Sequence, residues 1–325
     1  MRALVCEKYG SPDDLALREL DDPVAGPGEI LVDIKAAGLN FPDVLVIGGQ
    51  YQVKTPPPFI PGHEAAGTVA GVGEGAGRFN VGDKVIITPA TGAFAERCAV
   101  PEQLAMPVPN GLDFAQAAGF TITYSTSYHA LRQHAGLQDG ETVLVLGAAG
   151  GVGITAVEIA KALGARVIAA ASTDDKLEFA KSAGADETVN YTEASIKDAV
   201  REITGGKGAD VIYDPVGGET GEQALRCIAR GGRYLVIGFA SGAIPSFPAN
   251  LLLLKEASAT GVWWGPWAMR NPERQAQNLL AMAEMISDGL LRPRVTGSYS
   301  LDEFSEAFRA ITTRRVRGKV VFHMD

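Results

Sequence analysis

The sequence predicts an α/β protein with two domains, one β-rich and one built on a doubly wound parallel sheet. Its 325 residues exceed the usual size of a single hydrophobic core, which indicates two domains. Up to about residue 120 the apolar runs are short and are bounded by Gly, Pro and Asp, as in β-rich structure. Beyond that point strand-length apolar runs alternate with helical patterns, which is typical of a parallel sheet covered by helices.

The β-rich segment contains four strand-like runs and a proline-rich loop. The run Pro56-Pro57-Pro58, followed by Pro61-Gly62, excludes a helix or a central strand across that loop. We predict a small irregular barrel with long loops, and its strands cover Arg2–Cys6, Glu29–Ala36, Gly67–Val72 and Lys84–Thr88.

The parallel sheet is predicted to begin at residue 142. Thr142–Leu146 is a continuous apolar run, as expected of a strand that is buried on both faces. Val152–Leu163 follows it, with apolar residues every three or four positions along one helical stripe. The other predicted strands are Arg166–Ala171, Asp210–Asp214 and Tyr234–Gly238, and the other predicted helices are Lys176–Ser182 and a stretch near Gly221–Ile228.

In the last part of the chain the alternation of buried strands and helices stops, and the pattern changes. We predict amphipathic helices over Asn271–Ser287 and Leu301–Ile311 and a final strand over Lys319–Phe322. We assign this tail to the β-rich domain, so that the parallel-sheet domain is inserted within it. The expected division is residues 1–120 for the first β-rich segment, 121–266 for the parallel-sheet domain and 267–325 for the second β-rich segment.

Composition excludes several classes of protein. A net charge of −9, from 29 basic and 38 acidic residues, argues against a general nucleic-acid or anionic-membrane surface. The three cysteines, Cys6, Cys98 and Cys227, are far apart, so neither a disulfide framework nor a thiolate metal site is expected. The sequence shows no signal-like segment and no apolar run that is long enough to span a membrane, so we expect a cytoplasmic protein.

A glycine-rich turn joins the first parallel strand to its helix. It reads Gly147-Ala148-Ala149-Gly150-Gly151-Val152-Gly153. Glycines let the backbone approach a pyrophosphate, and a helix N-terminus offers free N–H groups and a positive dipole end. The position between strand and helix favours a dinucleotide site over a mere packing turn. We therefore expect Ala149, Gly150, Gly151 and Val152 to contact the cofactor.

The end of the next strand predicts which dinucleotide binds. NAD-binding folds usually carry Asp or Glu there, to hold the ribose 2′-hydroxyl. Here Arg166–Ala171 is followed by Ser172-Thr173, and Lys176 lies one turn further on. A hydroxyl and an ammonium group suit a 2′-phosphate, so we predict NADPH. We interpret Asp174 and Asp175 as acids of the helix N-terminus that point to water, with Ser172 or Thr173 as the cap.

Together these stretches resemble the medium-chain dehydrogenase/reductase superfamily, in its zinc-independent quinone oxidoreductase branch. The resemblance implies a split GroES-like catalytic domain around a Rossmann domain, an active site in the cleft between them, and a homodimer or homotetramer. The stretches that carry it are PGEILVDIKAAGLNFPDVL, PGHEAAGTVAGVGEGAGRFNVGDKV, ETVLVLGAAGGVGITAVEIAKALGA, KLEFAKSAGADETVNY, ADVIYDPVGG and AFRAITTRRVRGKVVF.

Zinc-dependent alcohol dehydrogenases of the superfamily bind zinc through Cys, His and Cys or Asp. Asn40 stands at the first of these positions, His63 is retained at the second, and the third falls near Phe120–Thr123, which offers no ligand. The four-cysteine structural lobe is also missing. One His and a carboxylate cannot form the usual three-ligand site, so we predict no metal and interpret His63 as a structural histidine.

The resemblance also implies roles for single residues. Thr126 matches a residue near the nicotinamide, Lys176 and Tyr191 match residues that line the 2′-phosphate, and Phe239 and Ala240 lie in a loop whose backbone faces the nicotinamide. Tyr191 could instead cap a strand end.

A polar cleft segment supplies the candidate catalytic residues Asn40, Asp43 and Tyr51. Some quinone reductases carry Tyr and Arg within this segment, where this chain has Leu45 and Ile47. Tyr51 could instead be a loop aromatic that packs on the proline run.

We therefore predict an enzyme that transfers hydride from NADPH to a small electrophilic acceptor, a quinone or an activated alkene such as an enone, alkenal or enoyl thioester. Tyr51 or water then donates the proton that an enone needs. A zinc-free alcohol dehydrogenase and a non-catalytic NADPH-binding sensor or structural protein are the alternatives.

We expect a homodimer in which Ala257–Trp264 extends the sheet. For the cluster Trp263, Trp264 and Trp267, packing is favoured over acceptor stacking.

Overall fold

The computed structural model describes residues 1–324, and the chain divides into two compact units. Unit 1 comprises Met1–Ile122 and the segment from Pro293 onward, and unit 2 comprises Thr123–Arg292. The strands are β1 (Arg2–Val5), β2 (Ala16–Glu19), β3 (Glu29–Leu39), β4 (Ala65–Val72), β5 (Lys84–Ile87), β6 (Arg97–Pro101), β7 (Ala105–Pro107), β8 (Thr142–Leu146), β9 (Arg166–Ala171), β10 (Glu187–Asn190), β11 (Ala209–Asp214), β12 (Ile228–Val236), β13 (Ser258–Gly261), β14 (Val295–Ser300) and β15 (Lys319–His323).

The α-helices are α1 (Phe41–Ile47), α2 (Phe114–Ala118), α3 (Thr121–Tyr128), α4 (Gly151–Ala162), α5 (Asp174–Ser182), α6 (Ile196–Ile203), α7 (Gly218–Leu225), α8 (Ala249–Lys255), α9 (Trp264–Arg270), α10 (Pro272–Ser287) and α11 (Phe304–Thr312). A π-helical segment, His129–His134, continues α3. Short 3₁₀ turns occupy Pro12–Asp14, Glu102–Leu104 and Leu301–Glu303.

Unit 1 is built around the long strand β3. β3 pairs antiparallel with β4, β6 and β15 within a seven-stranded sheet whose main order is β14-β15-β3-β4-β5-β7. Ile30, Val32 and Ile34 alternate along it into the core, as the two-residue period of a strand requires. The core also holds Phe94 and Phe322, whose rings meet edge to face at 5.0 Å. Because β15 comes from the end of the chain, the tail completes the sheet that the first segment begins.

Unit 2 contains a six-stranded, all-parallel sheet in the order β10-β9-β8-β11-β12-β13. In sequence order this is 3-2-1-4-5-6, the order of the doubly wound nucleotide-binding fold. β8 and β11 are buried along their whole length, which explains their continuous apolar runs. The strand order reverses between β8 and β11, and ligands of such sheets bind at the carboxyl ends of the strands near that point.

The structure corrects the expected division of the chain. The second boundary lies after Arg292, and not after residue 266, because α10 belongs to unit 2. Gln275 of this helix donates a hydrogen bond to the Ser125 hydroxyl at 3.1 Å, and Asn278 contacts Gln133. The first boundary differs from the expected one by only two residues (122 against 120).

Two elements of unit 2 also start at least three residues earlier than predicted. α7 begins at Gly218 and not near Gly221, and β12 begins at Ile228 and not at Tyr234. The left-handed backbone of Gly217 and Gly218 allows the chain to turn directly into α7. Over the described residues 1–324, no helix combines the length and the apolar character that crossing a bilayer requires.

Candidate functional site

The glycine-rich turn lies between the carboxyl end of β8 and the first turn of α4. Gly150 is the N-cap of α4, and Ala149 just before it is buried. A Cβ at Gly153 would lie 2.2 Å from the carbonyl oxygen of Gly147, so only glycine allows α4 to start this close to the turn. The first N–H groups of α4 have no partner within the helix, which makes this end suited to a phosphate.

Helix α3 is fastened to the start of α4 by buried hydroxyl groups. The Ser127 hydroxyl donates to the Val152 carbonyl at 3.0 Å and also contacts the hydroxyls of Thr155 and Tyr213, each at 2.8 Å. Ser127 is fully buried, whereas its neighbour Thr126 is partly exposed. The predicted nicotinamide residue Thr126 thus lies in α3 directly before the residue that joins α3 to α4. Sequence reasoning missed Ser127, since nothing local distinguishes it from other small polar residues of the segment.

The residues predicted to hold the 2′-phosphate converge at the ends of β9 and β10. Lys176 Nζ donates to the Ser172 hydroxyl at 3.3 Å, and the Tyr191 backbone N–H donates to the Ala171 carbonyl at 3.1 Å. Because β9 and β10 are neighbouring parallel strands, their carboxyl ends share one edge of the sheet. The Ser172 hydroxyl and the Lys176 ammonium group therefore meet there, and the Tyr191 backbone lies at the end of the neighbouring strand.

The two acids beside this group lie in the first turn of α5 and are exposed. Asp174 accepts a hydrogen bond from the Asn190 amide at 3.0 Å. Thr173 occupies the N-cap position, but its side chain makes no capping hydrogen bond. Only the position of the predicted cap therefore agrees with the structure. The strand itself ends in Ala171 and carries no carboxylate.

The loops after β11 and β12 are held together by backbone hydrogen bonds. The N–H groups of Ala240 and Ser241 donate to the carbonyls of Pro215 and Val216 at 3.0 and 2.8 Å. Phe239, between Gly238 and Ala240, is about one third exposed (36%). The predicted nicotinamide-facing loop is therefore a fixed segment at the same edge of the sheet.

Asp214, which ends β11, organises this pair of loops. It is fully buried, and it accepts hydrogen bonds from the N–H groups of Val216 and Gly217 at 2.7 and 2.8 Å and from the Tyr234 hydroxyl at 2.5 Å. Burial raises the pKa of Asp214, although these three hydrogen bonds act to lower it. Asp214 was not among the predicted site residues. The signal in the sequence that could have indicated its role is an acid at the end of an apolar strand.

Unit 1 contains a buried polar network that begins at α1. Asn40 is the N-cap of α1, and its backbone N–H donates to Asp43 Oδ2 at 2.7 Å. The other oxygen of Asp43 lies 2.6 Å from His63 Nδ1. Asp43 is fully buried, whereas the His63 side chain is 24% exposed. Asp43 therefore acts on His63 and has no exposed surface of its own.

The Asn40 side chain is occupied at both ends. Its Nδ2 donates to Glu64 Oε1 at 2.9 Å, and its Oδ1 accepts from Lys319 Nζ at 2.5 Å. Lys319 Nζ also lies 2.6 Å from Glu64 Oε1, and both side chains are almost completely buried. The second oxygen of Glu64 accepts from the Ile122 N–H at 2.9 Å. Neither Glu64 nor Lys319 was among the predicted site residues.

Tyr51 is separate from this network in the described contacts. It is partly exposed, packs against the unit 1 core and donates its backbone N–H to the Leu45 carbonyl at 3.1 Å. Of the three candidate catalytic residues, the structure therefore brings Asn40 and Asp43 together and leaves Tyr51 in the loop after α1.

The tryptophan cluster divides in the structure. Trp267 stacks on His129 with ring centroids 4.0 Å apart, and Trp264 Nε1 donates to Gln275 at 3.0 Å, so both pack within unit 2. Trp263 is 49% exposed. His129 Nε2 also lies 3.1 Å from His134 Nε2, because the π-helical segment brings residues five apart onto one face.

The residues of unit 1 do not fit a catalytic zinc ion. At the position of the first ligand, the Asn40 oxygen already accepts from an ammonium group. That same ammonium group lies against Glu64, where its charge would oppose a second cation. Within residues 1–324 no group of three or more His, Cys, Asp or Glu side chains is arranged to hold a metal.

Comparison with known proteins agrees with this architecture. Residues 26–110 match the alcohol dehydrogenase GroES-like domain family, and residues 151–282 match the family described as zinc-binding dehydrogenase. The chain is 39% identical to quinone oxidoreductase-like protein 2 homolog of Nematostella vectensis, over 99% of this chain and 88% of that protein.

Two solved structures are similar over their whole length. The Escherichia coli quinone oxidoreductase complexed with NADPH has a TM-score of 0.93 and 30% identity, over 100% of both chains. An NAD-dependent alcohol dehydrogenase has a TM-score of 0.90 and 33% identity, also over 100% of both chains. The parallel sheet with its glycine-rich turn and the split β-rich unit are the features of a Rossmann-type oxidoreductase with a GroES-like domain. The chain belongs to the medium-chain dehydrogenase/reductase superfamily, in its quinone oxidoreductase branch.

Proposed function

We propose that this oxidoreductase uses NADPH to reduce a quinone or an activated alkene, without zinc. The observation that carries the proposal is the contact of Lys176 with Ser172 at a strand end that lacks a carboxylate. A 2′-phosphate is favoured there because it accepts hydrogen bonds and attracts the ammonium group. The similarity to a quinone oxidoreductase that was solved with NADPH supports the same cofactor.

The chain's own residues bind and orient the cofactor, and NADPH supplies a hydride when it is bound. In the proposal, the N–H groups of Gly151 and Val152 hold the pyrophosphate at the N-terminus of α4. Lys176, Ser172 and Tyr191 hold the 2′-phosphate. Thr126 and the backbone around Phe239 and Ala240 hold the nicotinamide end, with Ser127 and Asp214 fixing the two segments behind them.

The residues at the position of the zinc ligands support the proposed acceptor class. An alcohol or simple ketone needs a Lewis acid or another strong electrophile to polarise its oxygen, whereas a quinone is already electron-poor. The residues at the zinc position do not fit that metal, because Lys319 occupies the cationic place beside Glu64. A quinone or an activated alkene therefore suits this chain better than an alcohol.

The acceptor and its proton source can be tested together. We expect wild-type enzyme to oxidise NADPH with an ortho-quinone and with an enone. Tyr51→Phe should barely change kcat/KM for the quinone, which takes its protons from water. It should lower kcat/KM for the enone by roughly 10²–10⁴-fold if Tyr51 donates the proton at carbon.

Thr126→Trp is the matching variant at the nicotinamide end. It should abolish turnover of both acceptors, while the far-UV circular dichroism spectrum stays that of the wild type. Full activity of Thr126→Trp would show that the nicotinamide site is placed wrongly. Wild-type enzyme that reduces neither acceptor would instead favour a non-catalytic NADPH-binding protein.

A zinc-free or zinc-containing alcohol dehydrogenase is the second candidate, favoured by the similarity to the NAD-dependent alcohol dehydrogenase. The two candidates differ in the direction of the reaction, and a zinc-containing alcohol dehydrogenase would also differ in metal content. Elemental analysis after chelator treatment should find no stoichiometric zinc, and primary alcohols with NADP⁺ or NAD⁺ should give no reduced cofactor. One zinc ion per chain, with activity that is lost on its removal, would establish the second candidate.

A further inference from the structure

We propose that His129 and His134 form a binding site for a divalent transition-metal ion such as Ni²⁺, Cu²⁺ or Zn²⁺. Both residues lie in unit 2, at the two ends of the π-helical segment that continues α3. Their Nε2 atoms are 3.1 Å apart. The inference goes beyond the proposed function, which uses neither histidine.

The π-helical backbone makes this pairing of side chains possible. Two residues five positions apart lie about 140° from each other around an α-helix, so their side chains diverge there. In the wider π-turn, the Ala135 N–H donates to the Ala130 carbonyl, five positions earlier, at 2.9 Å. This turn brings His129 and His134 onto one face. Single π-turns within helices frequently occur at functional sites, which supports a ligand at this one.

The orientation of His129 is fixed by its neighbours in unit 2. Gln133 Nε2 donates to Asn278 Oδ1 at 2.7 Å, which leaves Gln133 Oε1 to accept from His129 Nδ1, also at 2.7 Å. Trp267 stacks on the ring with centroids 4.0 Å apart. With the proton on Nδ1, Nε2 of the neutral ring carries a lone pair that faces His134. Histidines that bind metals are typically oriented in this way, by a hydrogen bond from the other ring nitrogen.

The contact between the two rings can be replaced by a shared metal ion. Since Nε2 of His129 is an acceptor, the 3.1 Å contact places a proton on Nε2 of His134. Transfer of that proton to Nδ1 of His134 gives the other neutral tautomer and leaves a lone pair on each Nε2. Burial lowers the pKa of both histidines, which favours the neutral rings that bind metals. His134 is exposed, so an ion can reach the pair from solvent.

The distance between the two nitrogens and their chemistry indicate the class of ion. With metal–nitrogen bonds of about 2.0–2.1 Å, a separation of 3.1 Å gives an angle of roughly 100° at the ion, which suits neighbouring ligands. Imidazole nitrogens favour Cu²⁺, Ni²⁺ and Zn²⁺, whereas Mg²⁺ prefers oxygen. The charge of Arg274 acts on His129 and disfavours ions that bind by charge alone. Among the described residues 1–324 no third His, Cys, Asp or Glu completes the pair, so water takes the remaining positions.

Tryptophan fluorescence reports on this site because Trp267 stacks on His129. We expect Ni²⁺ to quench the fluorescence of untagged, chelator-treated protein, with saturation at one ion per chain in calorimetry. Cu²⁺ should bind more tightly than Ni²⁺, and Mg²⁺ should not compete. Because two protein ligands hold an ion less firmly than three or four, the chelator should remove it, and the zinc test of the second candidate function is unaffected. The titration needs neither NADPH nor an acceptor, so its outcome is independent of the proposed function.

Three variants separate this site from metal binding elsewhere. H134Q removes the exposed ligand and should raise the Kd for Ni²⁺ at least roughly tenfold. H323Q, which replaces a histidine that contacts Ser298 in unit 1, is the matched control and should keep the wild-type Kd. Q133E places a carboxylate against Nδ1 of His129 and makes that ring a stronger ligand, so it should lower the Kd by roughly tenfold.

Two results would overturn the inference. One is wild-type protein that shows no saturable binding of Ni²⁺ or Cu²⁺ by fluorescence or calorimetry. The other is a Kd that stays the same in H134Q, or that rises in H323Q and not in H134Q, since the ion would then be bound by other residues. Circular dichroism spectra of the variants that match the wild type exclude misfolding as the reason for a lost signal.

Discussion

At the end of β9, the hydroxyl of Ser172 and the ammonium group of Lys176 stand where NAD-binding folds usually carry an acid. Lys176→Ala removes the charge and leaves the hydroxyl in place. We expect the Kd for NADPH to rise by about 10–100-fold, which corresponds to the ~1.5–3 kcal/mol of a charge-assisted contact. The Kd for NADH should stay constant, because NADH lacks the 2′-phosphate.

The matched control is Lys181→Ala on the same helix. Lys181 is exposed and pairs with Glu178 at 2.9 Å, so its loss should leave both dissociation constants unchanged. Fluorescence titration of wild type and both variants with each cofactor measures the difference. Equal affinities of the wild type for NADPH and NADH, or an unchanged preference in Lys176→Ala, would contradict the assignment.

The role of a single residue is predicted best when the signal for that role lies in the neighbouring sequence. Ser172 and Lys176 are read from their distance to the glycine-rich turn, and the structure brings them together. Lys319 was predicted only as part of a strand, because its partner Asn40 is 279 positions away and no local pattern marks it as buried. His63 was recognised by its position, but its 2.6 Å contact with Asp43 depends on the tertiary fold.

Among the elements, the pair β8–α4 depends most strictly on one residue type. Gly153→Ala places a Cβ 2.2 Å from the Gly147 carbonyl oxygen, so the turn has to open. We expect a loss of about 1–3 kcal/mol in the free energy of unfolding, as for overpacking elsewhere. The Kd for NADPH should also rise at least roughly tenfold, because the N–H groups that the proposal assigns to the pyrophosphate move.

Gly265→Ala in α9 is the matched control. Nothing lies within 4 Å of a Cβ there, so the variant should keep NADPH binding and gain up to about 1 kcal/mol from helix propensity. Urea unfolding and cofactor titration of the three proteins give the result. Wild-type stability and binding in Gly153→Ala would mean that α4 is not held against the turn.

Periodicity predicts elements more securely than it predicts their partners. β8 and β9 agree with the prediction at both ends, because a strand buried on two faces has a continuous apolar run. The amphipathic pattern of α10 shows that one face is buried, but not which unit buries it. Polar contacts such as the one from Gln275 to Ser125, 150 positions apart, determine which unit buries that face. Such contacts do not produce a periodic pattern in the sequence.

For the molecule as a whole, the far edge of the unit 2 sheet is the feature that predicts assembly. β13 is the terminal strand there, and it is mostly exposed. Nearby in the chain, α8 carries Leu253 and Leu254 at 77% and 64% exposure, and Ile244 is 77% exposed. An open strand edge with large exposed apolar side chains favours pairing with a second copy across a two-fold axis.

We therefore expect a homodimer, with a scattering mass of twice the 34.0 kDa chain at micromolar concentration. Replacing both Leu253 and Leu254 by Asp should shift that mass toward the single chain, since the two charges would have to be desolvated in the interface. Leu280→Asp, at a side chain that is 67% exposed on α10, is the control and should remain dimeric. A wild-type mass of one chain would contradict the homodimer. If the variant of Leu253 and Leu254 stays dimeric while Leu280→Asp dissociates, the subunit contact lies elsewhere on the surface.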